Sequence, residues 1–331
     1  MKLLGLSCGR KMQNSEILLR EALMGAEELG AEVSMIRLLD LDIRPCKGCM
    51  TCTMSLMNGG AGDCVIKDDF PFLDDQLLEC DGMILSAPTY VLAPPGLIKV
   101  IADRRGPSRD LAWLTEAKKV RENMPTPPAK GPDERAFKKR VAAFINVGGA
   151  STANWLSLGL PLMYLFTFPS NMTVIDQMQM TSMTRFMNPV LNPDALARAK
   201  RLGRNVAEAM KQPAEELRWM GEEGLCPVCH SDLLTVKATN PVECPICGIA
   251  GTLKVEGDRI SVVFKEEDQQ RSRIYMAGKV EHWVELRENV GMFMKRPDAF
   301  EIPKRVEKYE SYGVPVLTPP GKNGKGPAKS G

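Results

Sequence analysis

The sequence predicts an α/β fold, in which a doubly wound, five-stranded parallel sheet is followed by a small β domain and a C-terminal helix. Over the first 212 residues, short apolar runs of strand length alternate with segments of helical periodicity. Strands that alternate with helices form parallel sheets that are covered on both faces. Beyond this region, two CxxC pairs and short runs of alternating polarity are typical of a small domain that a metal ion stabilises.

Each predicted strand is a short apolar run that ends at a turn signal or at a helix start. The first run, KLLGLS, breaks at Gly9, and the second, AEVSMIRLL, alternates apolar and polar side chains. Between them, residues 15–30 repeat apolar side chains at helical spacing. The predicted strands are Lys2–Ser7, 31–39, Gly82–Pro88, 140–149 and 171–178, and the later helices are 70–78, 96–104, 192–212 and 279–294.

The length of 331 residues allows about two domains. We place the sheet domain at residues 1–212, the second domain at 213–310 and, by composition, a flexible tail at 311–331. Residues 106–139 interrupt the alternation with proline and charge, which indicates an insertion. From residue 104 to residue 140, eleven Lys and Arg face five Asp and Glu. This excess suits either a solvated basic loop or the docking of an acidic partner or a phosphorylated ligand.

The composition argues against several classes of protein. A net charge of +2 disfavours nucleic-acid binding, and the apolar runs fall well short of the ~20 residues that a membrane span needs. The N-terminus lacks the pattern of a signal peptide, so we expect a cytoplasmic protein with reduced thiols. Ten cysteines and two histidines then favour metal or redox chemistry over catalysis by histidine.

The loop after the first strand, SCGRKMQNSE, leads into the N-terminus of a helix. Unpaired N–H groups and the helix dipole attract anions at such a position. The hydroxyls of Ser7 and Ser15 and the charge of Arg10 suit a phosphate monoester, and the loop matches neither GxGxxG nor a Walker sequence. The alternative is an ordinary helix start that Asn14 or Ser15 caps.

Two later strands also end in residues that suit a ligand. In open parallel sheets, ligands bind at the carboxyl ends of strands, near the point where the strand order reverses. Pro88, Thr89 and Tyr90 end or follow the third strand, and residues 146–149 end the fourth. We expect a planar ring system at this edge, with a backbone amide that faces the polar edge of the ring.

A CxxCxxC pattern, followed after eleven intervening residues by a fourth cysteine, is formed by Cys46, Cys49, Cys52 and Cys64. The tight spacing lets one loop bind three corners of a [4Fe–4S] cubane, and a glycine-rich linker can bend to bring back the fourth cysteine. The alternatives are a zinc site or thiols without a metal.

A second set of four cysteines, Cys226, Cys229, Cys244 and Cys247, forms two CxxC pairs. Two CxxC pairs that are connected by short strands typically bind one metal ion tetrahedrally through their four sulfurs. The alternating strands and the lack of a nearby aromatic shell in the sequence favour a zinc ribbon, and a rubredoxin-like Fe(Cys)₄ site is the alternative. We interpret His230 as a bystander of this site, and His282 as a packed or surface histidine rather than a proton donor.

Four residues near these motifs receive structural interpretations. Cys80 ends an apolar helix and is predicted to lie in the core. Cys8 has no base beside it in sequence, so we do not expect a nucleophile. Asp68 and Asp69 are interpreted mainly as the cap of the next helix.

Three segments resemble the iron–sulfur flavoproteins of the flavodoxin-like, NADPH-dependent FMN reductase superfamily. They are GLSCGRKMQNSEILLREAL, the CxxCxxC segment with its CVIKDD continuation, and DGMILSAPTYVLAPPGLIKVIADR, and the resemblance covers roughly residues 1–212. It implies that FMN binds to three loops, whose residues are Ser7, Arg10, Asn14, Ser15, Glu16, Pro88, Thr89, Tyr90, Val91, Gly148 and Gly149.

The resemblance also implies a function. A flavin exchanges one or two electrons and a cluster exchanges one, so we expect electron transfer from a ferredoxin-like partner or NAD(P)H to an acceptor, without a protein nucleophile. Homo-oligomers, dimers or tetramers, follow from the resemblance as well. The alternatives are an NAD(P)H:FMN or quinone reductase without a cluster, with zinc in the first site, and a redox-sensing zinc-ribbon binding module.

Overall fold

A computed structural model of the chain describes residues 1–184 and 186–311. Apart from Ser311, the predicted flexible tail lies outside the described residues. The contacts divide the chain into two compact units, Met1–Trp283 and Val284–Gly331. The predicted sheet domain and the two CxxC pairs both belong to the first unit.

A five-stranded parallel sheet forms the centre of the first unit, and its strand order is β2-β1-β3-β4-β5. This order confirms the predicted doubly wound, flavodoxin-like sheet, whose strand order reverses between β1 and β3. The apolar runs of β1, β3 and β4 are buried almost throughout, as expected for strands covered on both faces. The strands are β1 (Lys2–Ser7), β2 (Glu32–Arg37), β3 (Gly82–Pro88), β4 (Arg140–Val147) and β5 (Met172–Met180).

Seven helices accompany the sheet within the described part of the chain. They are α1 (Asn14–Glu27), α2 (Thr51–Met57), α3 (Phe70–Glu79), α4 (Gly96–Arg109), α5 (Leu111–Glu122), α6 (Gly159–Thr167) and α7 (Pro193–Lys211). On one face of the sheet, α1 and α7 cover side chains such as Leu3 and Ile84. On the other face, α3, α4 and α6 cover side chains such as Leu4 and Phe144, and the cysteines of the two later CxxC pairs belong to the same core.

The basic segment 104–140 is more ordered than the sequence suggested. It contains the end of α4 and the whole of α5. The side chains of Arg104, Arg105 and Arg109 are buried and lie within ion-pair distance of Asp68 or Asp74. The interpretation as a solvated basic loop is therefore wrong for these three arginines, whose charges balance buried carboxylates.

In the part of the chain after α7 that the structure describes, there are a small antiparallel sheet and three helices. Strands β6 (Val242–Glu243), β7 (Ala250–Glu256) and β8 (Arg259–Phe264) pair in this order, which confirms the predicted small β region. The helices are α8 (Glu266–Gln270), α9 (Met276–Met294) and α10 (Ile302–Glu310). None of the helices in the described ranges combines the length and apolar character of a membrane span.

Candidate flavin cleft and metal centres

A cleft lies at the carboxyl edge of the sheet, where the strand order reverses between β1 and β3. Its cavity of about 100 Å³ accommodates a group of phosphate size. Three predicted loops converge here: the loop after β1 and the loops after β3 and β4. The lining residues are Arg10, Gln13, Asn14, Ser15, Pro88, Thr89, Tyr90, Val147, Gly148, Gly149 and Met183.

The loop after β1 packs tightly against β3. The Cys8 amide donates to the Ser86 carbonyl at 2.9 Å, and the Ser86 hydroxyl donates to the Ser15 carbonyl at 2.8 Å. A Cβ atom on Gly9 would lie only 2.0 Å from the Ser15 hydroxyl oxygen, so any other residue at this position would displace the Ser15 hydroxyl. The N-cap of α1 is Gln13 and makes no side-chain cap hydrogen bond. The predicted capping by Asn14 or Ser15 is therefore wrong, and the first amides of α1 can bind an anion.

Two buried polar atoms near this loop have no hydrogen-bond partner among the described residues: the Ser7 hydroxyl and the Asn14 amide oxygen. The side-chain nitrogen of Asn14 donates to the Thr184 carbonyl at 2.8 Å, which fixes the side chain at the cleft. Buried polar groups normally have partners. The residues at the cleft therefore fit a polar ligand such as the phosphate and hydroxylated chain of FMN.

The loops after β3 and β4 are joined through Thr89. Its amide donates to the Val147 carbonyl at 2.7 Å, and its hydroxyl donates to the amide oxygen of the fully buried Asn146 at 2.9 Å. In the turn that follows, Val91 and Leu92 have φ values of 50° and 69°. This left-handed conformation is unfavourable for non-glycine residues, above all for β-branched valine. Such strain often accompanies ligand-binding loops.

Three of the predicted flavin-binding residues do not line the cavity. Glu16 is completely buried on the side of α1 that faces β2, and its carboxylate binds the Arg37 guanidinium through both oxygens. Hydrogen bonds from Arg37, and then from Arg20, hold the pKa of Glu16 below its ordinary value against the effect of burial. Ser7 is buried in β1, and Val91 is 96% exposed in the turn. Their roles toward a flavin stay predictions.

The sequence did not single out Gln13 and Met183 as lining residues. Met183 follows β5 and its amide donates to the Gly148 carbonyl at 2.9 Å. The rule that ligands bind at the carboxyl ends of parallel strands could have found Met183, had it been applied to the fifth strand.

The thiol loop, which we define as residues 44–64, carries the first four cysteines. Cys46 and Cys49 are exposed, and Cys52 and Cys64 are half-buried. The Gly48 amide donates to the Cys46 sulfur at 3.4 Å, and the Thr51 hydroxyl donates to the Cys49 sulfur at 3.5 Å. The bond from Thr51 lowers the pKa of the Cys49 thiol. Hydrogen bonds to sulfur are a common feature of iron–sulfur sites.

The spacing of these sulfurs distinguishes two kinds of metal site. Among the residues that the structure describes, only the ribbon cysteines bring three or more cysteine, histidine or carboxylate donor atoms within 4.8 Å of one another. A single tetrahedral ion needs such close sulfurs, whereas a cubane binds each thiolate at a different iron and holds the thiolates farther apart. The structure does not bring three sulfurs of the described thiol loop that close together, and the cluster stays a prediction.

Arg104 and Asp68 anchor both ends of the thiol loop. Their charged atoms lie 2.6 Å apart, Arg104 donates to the Arg44 carbonyl at 2.8 Å, and its charge also faces the Cys64 thiol. Asp68 accepts from the Phe70 amide at 3.1 Å, while Asp69 makes no cap hydrogen bond to α3. The interpretation of the two aspartates mainly as a helix cap is thus wrong, because Asp68 chiefly pairs with Arg104.

The ribbon cysteines, Cys226, Cys229, Cys244 and Cys247, form a compact and completely buried group. The sulfurs of Cys226 and Cys247, and those of Cys229 and Cys244, are each 3.4 Å apart. Metal–sulfur bonds of ~2.3 Å in a tetrahedron place sulfurs about 3.8 Å apart. The group therefore fits one tetrahedral ion, as in a zinc ribbon.

Aromatic residues surround this site, and the expected lack of an aromatic shell is wrong. The Tyr164 hydroxyl donates to the Cys229 carbonyl at 2.8 Å, and burial followed by the four nearby thiols raises the pKa of Tyr164. Tyr275 lies near three of the thiols, and His230 stacks on Trp219 with centroids 3.8 Å apart. Tyr164 and Tyr275 come from α6 and from just before α9, so proximity in sequence did not reveal them.

The two remaining cysteines are structural. Cys80 is 3% exposed and donates to the Leu77 carbonyl, which confirms the prediction that it lies in the core. Cys8 is fully buried, and burial raises the pKa of its thiol to about 12. A thiol with such a pKa is not a nucleophile at neutral pH.

The flavodoxin-like sheet and the cleft at its switch point indicate a flavin-dependent oxidoreductase. Residues 1–182 match the family model of the NADPH-dependent FMN reductases. The chain belongs to this family and is an FMN-dependent oxidoreductase.

Similar proteins span either the whole chain or part of it. The flavone synthase cfoJ of Aspergillus candidus is 31% identical over 336 residues, which cover 98% of this chain and 100% of the relative. A solved structure of a flavone reductase superposes with a TM-score of 0.79 at 28% identity, covering 96% of this chain and 100% of that one. An iron–sulfur flavoprotein of Methanosarcina thermophila is 30% identical over 151 residues, 45% of this chain and 64% of its own.

Proposed function

We propose that the chain passes electrons from NAD(P)H or a ferredoxin-like protein to an organic acceptor through FMN in the cleft and a [4Fe–4S] cluster in the thiol loop. The cleft carries this proposal, because its buried unpartnered atoms and open helix N-terminus lie where flavodoxin-like folds bind FMN. Bound FMN would supply hydride or single-electron transfer, and a cluster would supply single electrons.

Different residues would serve different parts of FMN. The first amides of α1, with Ser15 and Arg10, would bind the phosphate, because together they offer N–H donors, a hydroxyl and a positive charge. The backbone after β3 and β4, including Gly148, would face the ring, because its amides lie at the same edge of the sheet.

For the acceptor we propose a planar phenolic compound of the flavone type. Two proteins that match nearly the whole chain are named for flavones. Apolar side chains also stand unusually exposed on the loops that follow β3, β4 and β5: Tyr90, Val91, Trp155, Phe186 and Met187 are 54% to 96% exposed. Such exposed apolar groups indicate a binding surface, and a flat aromatic substrate would cover them.

Hydrogen bonds connect these loops to the cleft. The Leu158 amide donates to the Leu92 carbonyl at 3.1 Å, which joins the loop after β4 to the turn after β3. Thr184, whose carbonyl binds Asn14, also accepts from the Met187 amide at 3.1 Å. The reaction would oxidise NAD(P)H and add a hydride and a proton across the ring C=C bond of a flavone, or run in reverse.

Anaerobic purification followed by a visible spectrum and metal analysis tests the cofactors. We expect flavin bands, iron and sulfide near four per chain and one ion in the ribbon, for which zinc is proposed and iron is the alternative. Turnover of flavone with NADH, NADPH or reduced ferredoxin tests the reaction.

The rival functions predict different results. A cluster-free NAD(P)H:FMN or quinone reductase would contain flavin but no acid-labile sulfide. A redox-sensing binding module would show no steady-state turnover with any donor and artificial acceptors. Rapid reduction of quinones without reduction of flavones would retain the enzyme class and overturn the proposed substrate.

A further inference from the structure

A second and larger cavity lies at the opposite end of the sheet from the flavin cleft. It has a volume of about 270 Å³ and lies between the start of β5, residues 217–219 and the ribbon knuckle 227–230. The start of α9 also contributes to its wall. From Met172 to Met180, β5 extends roughly 26 Å at ~3.3 Å per residue. The cavity is therefore distinct from the cleft.

The walls of this cavity combine aromatic rings with positive charge. Tyr164, Trp219 and Tyr275 line it, and so do the basic side chains of Arg218 and Lys279. Among the residues that the structure describes, the lining includes no aspartate or glutamate. The neighbouring carboxylates lie outside the lining: Asp110 faces Lys279 and caps α5, and Glu223 pairs with His230.

Several polar groups of the lining retain hydrogen-bonding capacity. The buried hydroxyl of Ser170 has no partner among the described residues. The contacts of Arg218 to the Glu215 and Leu217 carbonyls use one nitrogen of its guanidinium, and a guanidinium carries five N–H donors. Lys279 is buried and donates to the Phe168 carbonyl, while an ammonium group carries three N–H donors.

We propose that this cavity is a second ligand site, which binds a planar aromatic carboxylate or sulfonate of one or two rings. The aromatic walls would contact the ring faces, and Arg218, Lys279 and Ser170 would bind the anionic group. The volume fits one small molecule of this kind. The site is independent of the proposed flavin chemistry.

Calorimetric titration of the FMN- and metal-loaded protein with 2-naphthoate tests this proposal, and 2-naphthamide serves as the neutral analogue. We expect one naphthoate per chain and at least tenfold weaker binding of the amide. The substitution Thr173→Trp changes an exposed residue at the cavity. It should abolish binding, because the larger side chain would fill the entrance. Arg218→Gln should weaken naphthoate binding at least fivefold and leave naphthamide binding unchanged.

Matched substitutions on the ribbon strands provide the controls. Thr252→Trp on β7 and Arg259→Gln on β8 replace exposed residues outside the cavity. Proteins with either substitution should bind naphthoate as the parent protein does. The proposal is overturned if the parent protein does not bind naphthoate at about 1 mM, or if the amide binds equally well. It also fails if Arg218→Gln binds like its control, a result that does not depend on how well Thr173→Trp folds.

Discussion

Arg104 and Asp68 form an ion pair in which both side chains are completely buried, with 2.6 Å between their charged atoms. The pair joins α4 to the segment before α3, and the same arginine binds the Arg44 carbonyl at the start of the thiol loop. Removal of one partner from a buried pair leaves the other charge without compensation, which typically costs about 3–5 kcal/mol.

Asp68→Asn should therefore lower the free energy of unfolding by about 3 kcal/mol or more at pH 7. Burial alone would raise the pKa of Asp68, but hydrogen bonds from Arg104 and from the Arg44 and Phe70 amides outweigh it and lower the pKa. The stabilisation of the folded protein by ionised Asp68 is thus present above the unfolded pKa of ~3.9. It is lost as the pH falls through the lower pKa of the folded state. Urea titrations at several pH values measure the effect.

The exposed pair between Lys99 and Asp103 on the same helix provides the control. Asp103→Asn should cost less than about 1 kcal/mol, because exposed ion pairs contribute little. Equal losses from both substitutions would contradict a special role for the buried pair.

Gly9→Ala should impair FMN binding without unfolding the protein. Its new Cβ would displace the Ser15 hydroxyl, which lies 2.0 Å from the Cβ position, so the dissociation constant for FMN should rise at least tenfold, about 1.4 kcal/mol. Fluorescence titration with FMN measures this change. Gly96→Ala is the control, because its Cβ meets no atom within 4 Å and it begins α4.

Cys64→Ser should remove the proposed cluster and leave the flavin bound. We expect loss of acid-labile sulfide and of the broad iron–sulfur absorbance, measured after anaerobic purification. Cys80→Ala, which replaces a buried thiol of the core, should retain both signals. If Cys64→Ser keeps a full complement of iron and sulfide, Cys64 is not a ligand.

Loss of the ribbon metal should destabilise the first unit. Cys244→Ser should abolish metal binding, measured by elemental analysis, and lower the thermal midpoint, because metal sites supply folding free energy to small β domains. Tyr164→Phe should retain the metal and cost about 1 kcal/mol, the typical worth of one hydrogen bond, since it removes only the bond to the Cys229 carbonyl. A ribbon that stays metal-bound in Cys244→Ser would contradict the assignment of its ligands.

Cys8 should resist alkylation at pH 8, even though it lies in the loop of the flavin cleft. With a pKa of about 12, roughly one thiol in ten thousand is ionised at that pH. Mass spectrometry after iodoacetamide treatment of native protein should find Cys8 unmodified and the exposed Cys46 and Cys49 of metal-free protein modified. Rapid labelling of Cys8 in the folded protein would contradict the burial and the high pKa of its thiol.

The sheet could be predicted because its strands are continuous apolar runs between clear breaks. Lys2–Ser7 and Gly82–Pro88 have the predicted bounds. Helix α6 was missed because its sequence, GLPLMYLFT, is apolar on all sides and has no helical periodicity. Helix α5 was missed because nearby proline and charge suggested a loop, although Leu114 and Ala117 face a core.

The parts of the candidate site that residues close in sequence form could be predicted. The parts that form where distant segments of the chain meet could not. The loops at the cleft follow directly from the order of strands. The pairing of Glu16 with Arg37, of Asp68 with Arg104 and of Tyr164 with the ribbon depends on contacts between residues 21 or more positions apart, which residue type and spacing alone do not encode.

The bond between Tyr164 and Cys229 has a consequence for synthesis in the cell. Tyr164 stands on α6, which packs on the central sheet, and Cys229 belongs to the four-cysteine group that could hold a metal ion. If that group binds its ion, a chain made during metal starvation would leave part of its apolar interior open to water. Trace-element supply would then limit how much working flavoenzyme accumulates, even where riboflavin is plentiful.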